Sequence, residues 1–489
     1  RYLLRDFKGG REDVERLVSA RPNQAKAWDY VGRMRYAEAI ETAWRGVDPR
    51  KALEEAIEAH TRALGLDDKP AETWNNRSNA LHDMSDAQAE RGIDPRPTLA
   101  KAIADIEHVI QRLPNSAEAW TNRANLRLAV GRAGAARGED PRAELDRSVE
   151  DFGRAIALDS EYPVAYLGRG NAWKERGDAE GDHGGDPRSA YGKAIEDFGK
   201  ALQIRSTFVE ANNNRGNVYV ALGKEELSRG GDARDFFRKG IEDYEEMLAR
   251  MPGSPEALHN RAYARVLLSK AESVKGDDPR PTIEKAIEDY GQAIEANPND
   301  PGTYSSRGNA WLELGSANGE KGIDPRPWLE KGAADFEKAL ALNPEYGDAW
   351  NNHGNALADI GEVERRLGID AHKTFERAIG DFGEALRRNP EDAAAYNNRG
   401  NAWMKLGDVR AAAGEDAAAA WAKSLADFDA VLAKNPRLWQ GHANRGLLLD
   451  RMGRYEEAVR EFDIAIERVG DNAPSLKQWR DRAKAKIPR

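Results

Sequence analysis

The stretch Tyr396-Asn397-Asn398-Arg399-Gly400-Asn401-Ala402-Trp403 decides the fold, because variants of it return every 46 residues. Trp28, Trp74, Trp120, Tyr166, Tyr304 and Trp350 stand on the same series as Tyr396, and Asn212, Leu258 and His442 fill its other terms. Ten copies of one unit in 489 residues predict a solenoid, in which each repeat packs only on its neighbours. The same regularity leaves no obvious single place for an active site.

Composition fits a helical array. Charged residues make up 32% of the chain and hydrophobic residues 40%, enough to bury faces between neighbouring helices. The mean hydropathy is -0.77, and no apolar run reaches the roughly 18 residues of a membrane span. A modest net charge of -10, spread along the chain, argues against nucleic acid or an anionic membrane as the main partner. Cysteine is absent, which excludes disulfides, thiolate nucleophiles and cysteine-based metal sites and fits any redox compartment. The chain opens on Arg1 without a Met or a signal-like segment, and so reads as a processed or truncated product with no legible address.

Within residues 118–162, Trp120 to Arg137 reads as a first helix, with Trp120, Ala124, Leu128 and Gly131 on one face. A second helix carries Leu145, Val149, Phe152, Ile156 and Leu158 at helical spacing. Between them stands Gly-x-Asp, repeated in nine units from Gly46/Asp48 to Gly414/Asp416 and followed by Pro in six of them. Gly closes a helix in the left-handed conformation, Asp caps the next one, and Pro is tolerated at its start. A cation site is the functional alternative for this Asp row; structural punctuation is the expected role.

In this order the features resemble a tetratricopeptide repeat over essentially the whole chain. The aromatic comes first, and a small residue follows four positions later in every unit, from Gly32 and Ser78 to Gly446. A small second-helix residue (Ala102, Ala194, Ala286, Ala378), an aromatic such as Phe152, Phe198 or Tyr244, and closing prolines such as Pro114 and Pro252 complete the pattern. The resemblance implies an all-α right-handed superhelix of antiparallel helix pairs. The family unit has 34 residues, and only the copy at 437–470 has that length; the nine copies across 23–436 carry about 12 more at the turn. Both helices are therefore expected to lengthen by one to two turns, about 6–10 Å at 1.5 Å per residue. The fixed length of the insertion predicts a packed wall, with fraying at Asp178–Gly184. Residues 1–22 read as the tail of a first helix plus a second helix, and 471–489 as a basic amphipathic capping helix.

Two polar ladders run along the units. Arg77, Arg123, Arg169, Arg215, Arg261, Arg307, Arg399 and Arg445 face a row of second-helix carboxylates, Asp105, Asp151, Asp197, Asp243, Asp289, Asp335, Asp381, Asp427 and Asp463. Each Arg is expected to bridge to the Asp of the preceding unit, since the first unit has Val31 instead. An anion-binding strip is the alternative. The second ladder is Asn79, Asn125, Asn171, Asn217, Asn309, Asn355 and Asn401, at the position that faces the concave surface in the family. With Asn213, Asn351 and Asn397 it forms the candidate peptide-binding groove, because an amide both donates and accepts and suits a peptide backbone of any sequence. It resembles the asparagine ladder of the tetratricopeptide superhelix in O-linked N-acetylglucosamine transferase; bonding of each Asn within its own helical neighbourhood is the competing reading. The cations of the family's carboxylate clamp are missing.

No phosphate loop, H-E-x-x-H or G-x-S-x-G appears, and the eight His are scattered over different repeat positions, so neither catalysis, metal nor cofactor is implied. The outer row Arg50, Arg96, Arg142, Arg188, Arg234, Arg280 and Arg326 is expected to be solvated, with an acidic polymer as its alternative ligand. The expected partner is a protein or peptide, with no nucleic acid and no membrane insertion. Two other readings stay open: a structural repeat protein that self-associates into a filament, and the regulatory region of a larger enzyme.

Overall fold

The computed structural model describes residues 7–470 and 473–487, and its only regular structure there is α-helix. After α1 (Phe7–Ala20) come five hairpins with their first helices at α2 (Ala25–Trp44), α4 (Ala71–Ala89), α6 (Ala117–Ala135), α8 (Pro163–Asp182) and α10 (Val209–Ser228). Their second helices are α3 (Arg50–Leu66), α5 (Arg96–Arg112), α7 (Arg142–Leu158), α9 (Arg188–Ile204) and α11 (Arg234–Arg250). Five more hairpins follow, with first helices α12 (Pro255–Lys275), α14 (Pro301–Glu320), α16 (Gly347–Arg366), α18 (Ala393–Ala412) and α20 (Trp439–Arg451). These pair with α13 (Arg280–Ala296), α15 (Arg326–Leu342), α17 (His372–Arg388), α19 (Ala418–Lys434) and α21 (Tyr455–Val469), and α22 (Pro474–Ala485) closes the order. Within each compact unit consecutive helices pack on one another, and the fold is an all-α solenoid. It falls into two compact units, one of Arg1–Gly231 with Glu242–Arg250 and one of Asp232–Ile241 with Met251–Arg489.

The turn inside each hairpin follows from Gly-x-Asp. Every turn glycine from Gly46 to Gly414 has φ between 70° and 85°, a conformation in which any Cβ is strained. Two residues on, the Asp carboxylate accepts the free N–H that opens the second helix, as in Arg50 N to Asp48 Oδ1 at 3.1 Å.

Two close approaches recur among the hairpins. A Cβ added to Gly308, Gly354, Gly400 or Gly446 would lie 2.8 Å from the ring of Phe336, Phe382, Phe428 or Phe462, and all four rings are fully buried. The aromatic thus occupies the space a side chain would need. Ala124 does have a Cβ, and its partner Phe152 instead lies 2.3 Å from where a Cβ of Gly168 in the next first helix would be. Nearer the tip a second contact repeats: Gly177 against Tyr191 and Gly407 against Trp421, with Gly131, Gly315 and Gly361 more loosely placed against Leu145, Leu329 and Phe375. The added turns are therefore packed.

They are not shared equally between the helices. Compared with the short last hairpin, α18 has 20 residues against 13 for α20, while α19 has 17 against 15 for α21. At 1.5 Å per residue the first helix rises about 10 Å farther and the second only about 3 Å. The expectation that both helices grow by a turn or more is corrected: a five-residue turn from Ala413 to Ala417 spans the difference. The expected fraying at Asp178–Gly184 is also absent. The helix continues to Asp182, and the Tyr191 hydroxyl donates to Asp178 Oδ1 at 2.7 Å.

At the start, α1 occupies the second-helix place foreseen for residues 1–22; the first-helix tail expected there falls on residues 1–6, outside the described residues. At the end, α22 lays Leu476, Trp479 and Ala483 over Ala443, Leu449 and Phe462. Lys486 ties it down by donating to Asp450 at 2.7 Å.

Candidate binding groove

Within each unit, the first helices of successive repeats touch (α2 with α4, α6 with α8, α14 with α16, α16 with α18), whereas second helices make no comparable contact among the described residues. First helices therefore line the inner face. Where the 46-residue series carries tryptophan, its indole donates backward over the inter-repeat loop. Trp28, Trp74, Trp120 and Trp350 bond the carbonyls of Pro22, Asp68, Pro114 and Pro344 at 2.8–2.9 Å. The motif arginine stacks on the same ring, as Arg123 does 4.6 Å from the Trp120 centroid.

The motif arginines do bridge to the carboxylate row, but within their own unit. Arg77 meets Asp105 through two bonds of 2.7 Å, and Arg123–Asp151, Arg169–Asp197, Arg307–Asp335 and Arg399–Asp427 repeat the forked pair between first and second helix. This corrects the expected pairing with the preceding unit. The first unit lacks both partners at once, with Val31 and Ala59 at the two positions. His353 stands in for Arg opposite Asp381 at 2.9 Å. In the short last unit Arg445 bonds Glu461, next to Phe462, so Asp463 does not belong to the row. Burial pushes the Asp197 and Asp243 carboxyls up while the adjacent guanidinium pulls them back, and the carboxylates in turn hold Arg169 and Arg215 more firmly protonated.

Separate bonds join one repeat to the next. An amide rung runs from Asn122 Nδ2 to Asn75 Oδ1 at 2.9 Å, from Asn398 to Asn351 at 3.2 Å and from Asn444 to Asn397 at 2.8 Å. Two predicted groove residues, Asn351 and Asn397, thus spend their amide oxygens between repeats, and Asn213 is buried. Where Leu167 breaks this rung, Asn214 reaches one turn farther and donates to Asn171 at 2.8 Å. Asn217 accepts the Tyr244 hydroxyl at 2.7 Å. The remaining ladder residues, Asn79, Asn125, Asn355 and Asn401, are half-buried, and Asn309 is exposed; no hydrogen bond is made by their amides among the described residues.

An ionic rung, not foreseen from the sequence, lies farther up the groove. The residue 12 positions after the series position meets the one nine positions after it in the next repeat. Arg132–Glu175, Lys270–Glu313, Glu362–Lys405 and Asp408–Arg451 are such pairs, at 2.7–2.9 Å. The constant 43-residue offset was the available signal, hidden because the polarity reverses along the chain.

At the hairpin tips the outer arginines are partly solvated, as expected, and also paired. Arg50 folds back on Asp48 at 3.0 and 2.7 Å, and Arg96, Arg142, Arg188, Arg234, Arg280 and Arg326 repeat the clasp on the Asp two residues before. Each arginine holds its carboxylate below the ordinary range, to about 2 at Asp48, Asp94 and Asp278. Arg91 then reaches back to Asp48 at 3.3 Å and Arg96 forward to Glu139 at 2.7 Å. A tip of different length would lose this register.

A family model described as "TPR repeat" matches residues 282–315, and one described as "Tetratricopeptide repeat" matches 370–424 and 421–475. These matches identify tetratricopeptide repeats at residues 282–315 and 370–475. This tetratricopeptide protein is a repeat scaffold of the kind used for protein interactions. Solved structures similar to it include a tetratricopeptide repeat protein from Parabacteroides merdae, 17% identical, with 64% of this chain and 98% of that one covered and a TM-score of 0.39. The TPR protein YrrB is 19% identical over 50% of this chain and 99% of its own, with a TM-score of 0.33. TTC0263 from Thermus thermophilus is 20% identical over 46% and 98%, with a TM-score of 0.32. No curated protein matches. No helix among the described residues is long and apolar enough to cross a membrane.

Proposed function

We propose that this chain is a non-catalytic scaffold that holds an extended peptide segment of a protein partner along its first-helix face. One observation carries the reading: Asn79, Asn125, Asn309, Asn355 and Asn401 recur at one helical position on that face and leave their amides without a protein partner, while the groups around them are bonded. A free primary amide offers both a donor and an acceptor, the complement of a peptide unit. Because amide and ionic rungs fix neighbouring repeats, the peptide meets positions that are already arranged, which reduces the ordering cost of binding. The test is a peptide-array screen with the full chain, repeated with Asn309→Ala, Asn355→Ala and both together. Each free amide contributes about 0.5–1.5 kcal/mol, so the double variant loses roughly 5- to 150-fold in affinity across unrelated sequences. Binding untouched by the double change rules out the asparagine row as the site.

A further inference from the structure

The ionic rung is interrupted where its cation is missing. Between α14 and α16 the register places Ser316 opposite Asp359, and between α2 and α4 it places Ile40 opposite Asp83. Each of these two places opens into a cleft, of about 660 Å³ at Ser316/Asp359 and about 500 Å³ at Ile40/Asp83. Asp83 takes a substitute bond from the Tyr36 hydroxyl at 2.8 Å. Asp359 has no hydrogen bond or ion pair among the described residues. Leu312, Ile323, Val363 and Leu367 wall its cleft, and Ile323 and Leu367 are exposed. The next rung shows what completes such a position, since Lys405 Nζ lies 2.7 Å from Glu362 there.

We infer that the Ser316/Asp359 cleft takes a lysine or arginine side chain from the bound peptide, which completes the rung with its charge and lays its aliphatic stem on the apolar walls. The inference rests on the groove reading and adds the chemistry of one side chain of the partner. The acidic chain, of net charge -10, favours a basic segment over an acidic one. Other charges at the cleft are already committed: Arg366 lies 2.9 Å from Glu362, and Asp324 is clasped by Arg326 at 2.6 Å.

Titration follows from the same surroundings. Asp359 is open to water at the cleft mouth yet crowded by protein on its other sides; that desolvation, with the nearby Glu362 charge, pushes it to about 6 against the weaker pull of Lys405 and Arg366. Glu362, despite its own desolvation, is held at about 2 by Arg365, Lys405 and Arg366, and Arg326 holds Asp324 low, while Glu320 also lines the cleft. Of the shifted groups, Asp359 is therefore the one that gains its proton as pH falls through about 6, and the preference for a cation fades there.

The probes are three pools of acetylated, amidated nonapeptides, degenerate in Ala, Ser, Gly and Thr, with one central Lys, Arg or norleucine, read by fluorescence anisotropy against the full chain. The Lys and Arg pools are expected to bind about fivefold tighter than norleucine at pH 7.5, the worth of a partly exposed ion pair, and less than twofold tighter at pH 5. Ser316→Lys, which fills the rung from within, and Asp359→Asn each bring the ratio below twofold and leave the norleucine pool unchanged. Equal binding of all pools to the unaltered chain overturns this inference and leaves the groove standing. A ratio that survives Asp359→Asn also overturns it, and failure of every pool to bind overturns the groove and the inference together.

Discussion

Replacing Gly400 by Ala sets two effects of known size against each other. Gly400 lies inside α18, where Ala is favoured by up to about 1 kcal/mol through helix propensity alone. The new Cβ would stand 2.8 Å from Cε1 and 3.1 Å from Cδ1 of Phe428, and this ring cannot retreat because it is fully buried among Met404 and Leu448. Overpacking of this kind costs about 1–3 kcal/mol, so the clash wins and the variant is destabilised by roughly 0.5–2 kcal/mol. Gly383 supplies the control: it sits inside α17 with nothing within 4 Å of where the added methyl would stand, so Gly383→Ala stabilises by about 0.5–1 kcal/mol. Urea unfolding by far-UV circular dichroism gives the sign of each change. Hydrogen exchange in α18 and α19 localises it, which matters because repeat arrays can unfold piecewise. In the Gly400→Ala background, Phe428→Leu relieves the clash and costs less than it does alone. If Gly400→Ala stabilises as Gly383→Ala does, or the two changes at 400 and 428 simply add, the close approach is not what requires glycine here.

Arg77→Leu leaves Asp105 buried without its fork and costs about 2–4 kcal/mol by denaturant unfolding, whereas Arg77→Leu with Asp105→Leu costs less than the single change; a larger cost for the pair counts against the bridge. The tip carboxylates Asp48, Asp94 and Asp278 have folded values near 2 against an ordinary 3.8, so their stabilisation is complete above about pH 4 and is lost as pH falls toward 2. Melting temperatures from pH 7 to 2 are expected to drop more shallowly at the acid end when all three are Asn. Trp479→Ala uncovers Leu449 and Phe462, costs about 2–4 kcal/mol, and speeds amide exchange in α20 and α21 while α3 to α5 keep their rates; uniform acceleration would show that the cap acts globally.

The pitch, the hairpins and the turn were legible because each depends on one residue type at one place: glycine at positive φ, Asp two residues later, a small residue opposite a ring. Pairings between rows were harder, for a geometric reason. On a lattice that repeats every 46 residues, Arg123 has one carboxylate 18 positions before it and another 28 after it, and two matched rows do not say which is nearer. The joint loss of Arg and Asp at Val31 and Ala59, and the shift of the partner to Glu461 beside the shortened turn, hold that information. Of the candidate site, the asparagine row was visible as a row. That Asn351, Asn397, Asn171 and Asn217 are engaged was not, since a side chain's second partner depends on what its neighbour lacks, as Leu167 shows for Asn171.

The rungs also bear on how such a chain can change its length. Every one of them joins a position in one repeat to a nearby position in the next, through offsets of 43 or 47 residues, and none skips a repeat. Duplicating or deleting one whole 46-residue unit keeps these offsets in register, while the charges that meet at the new junction depend on the unit: a copied Asp408 meets another Lys405, whereas a copied Glu362 meets another Asp359. Removing a few residues from one tip breaks the bonds on both sides of it. Growth by tandem duplication is in this way tolerated in whole steps only, and a duplication across α14 to α16 would copy the vacant rung at Ser316 along with the occupied ones.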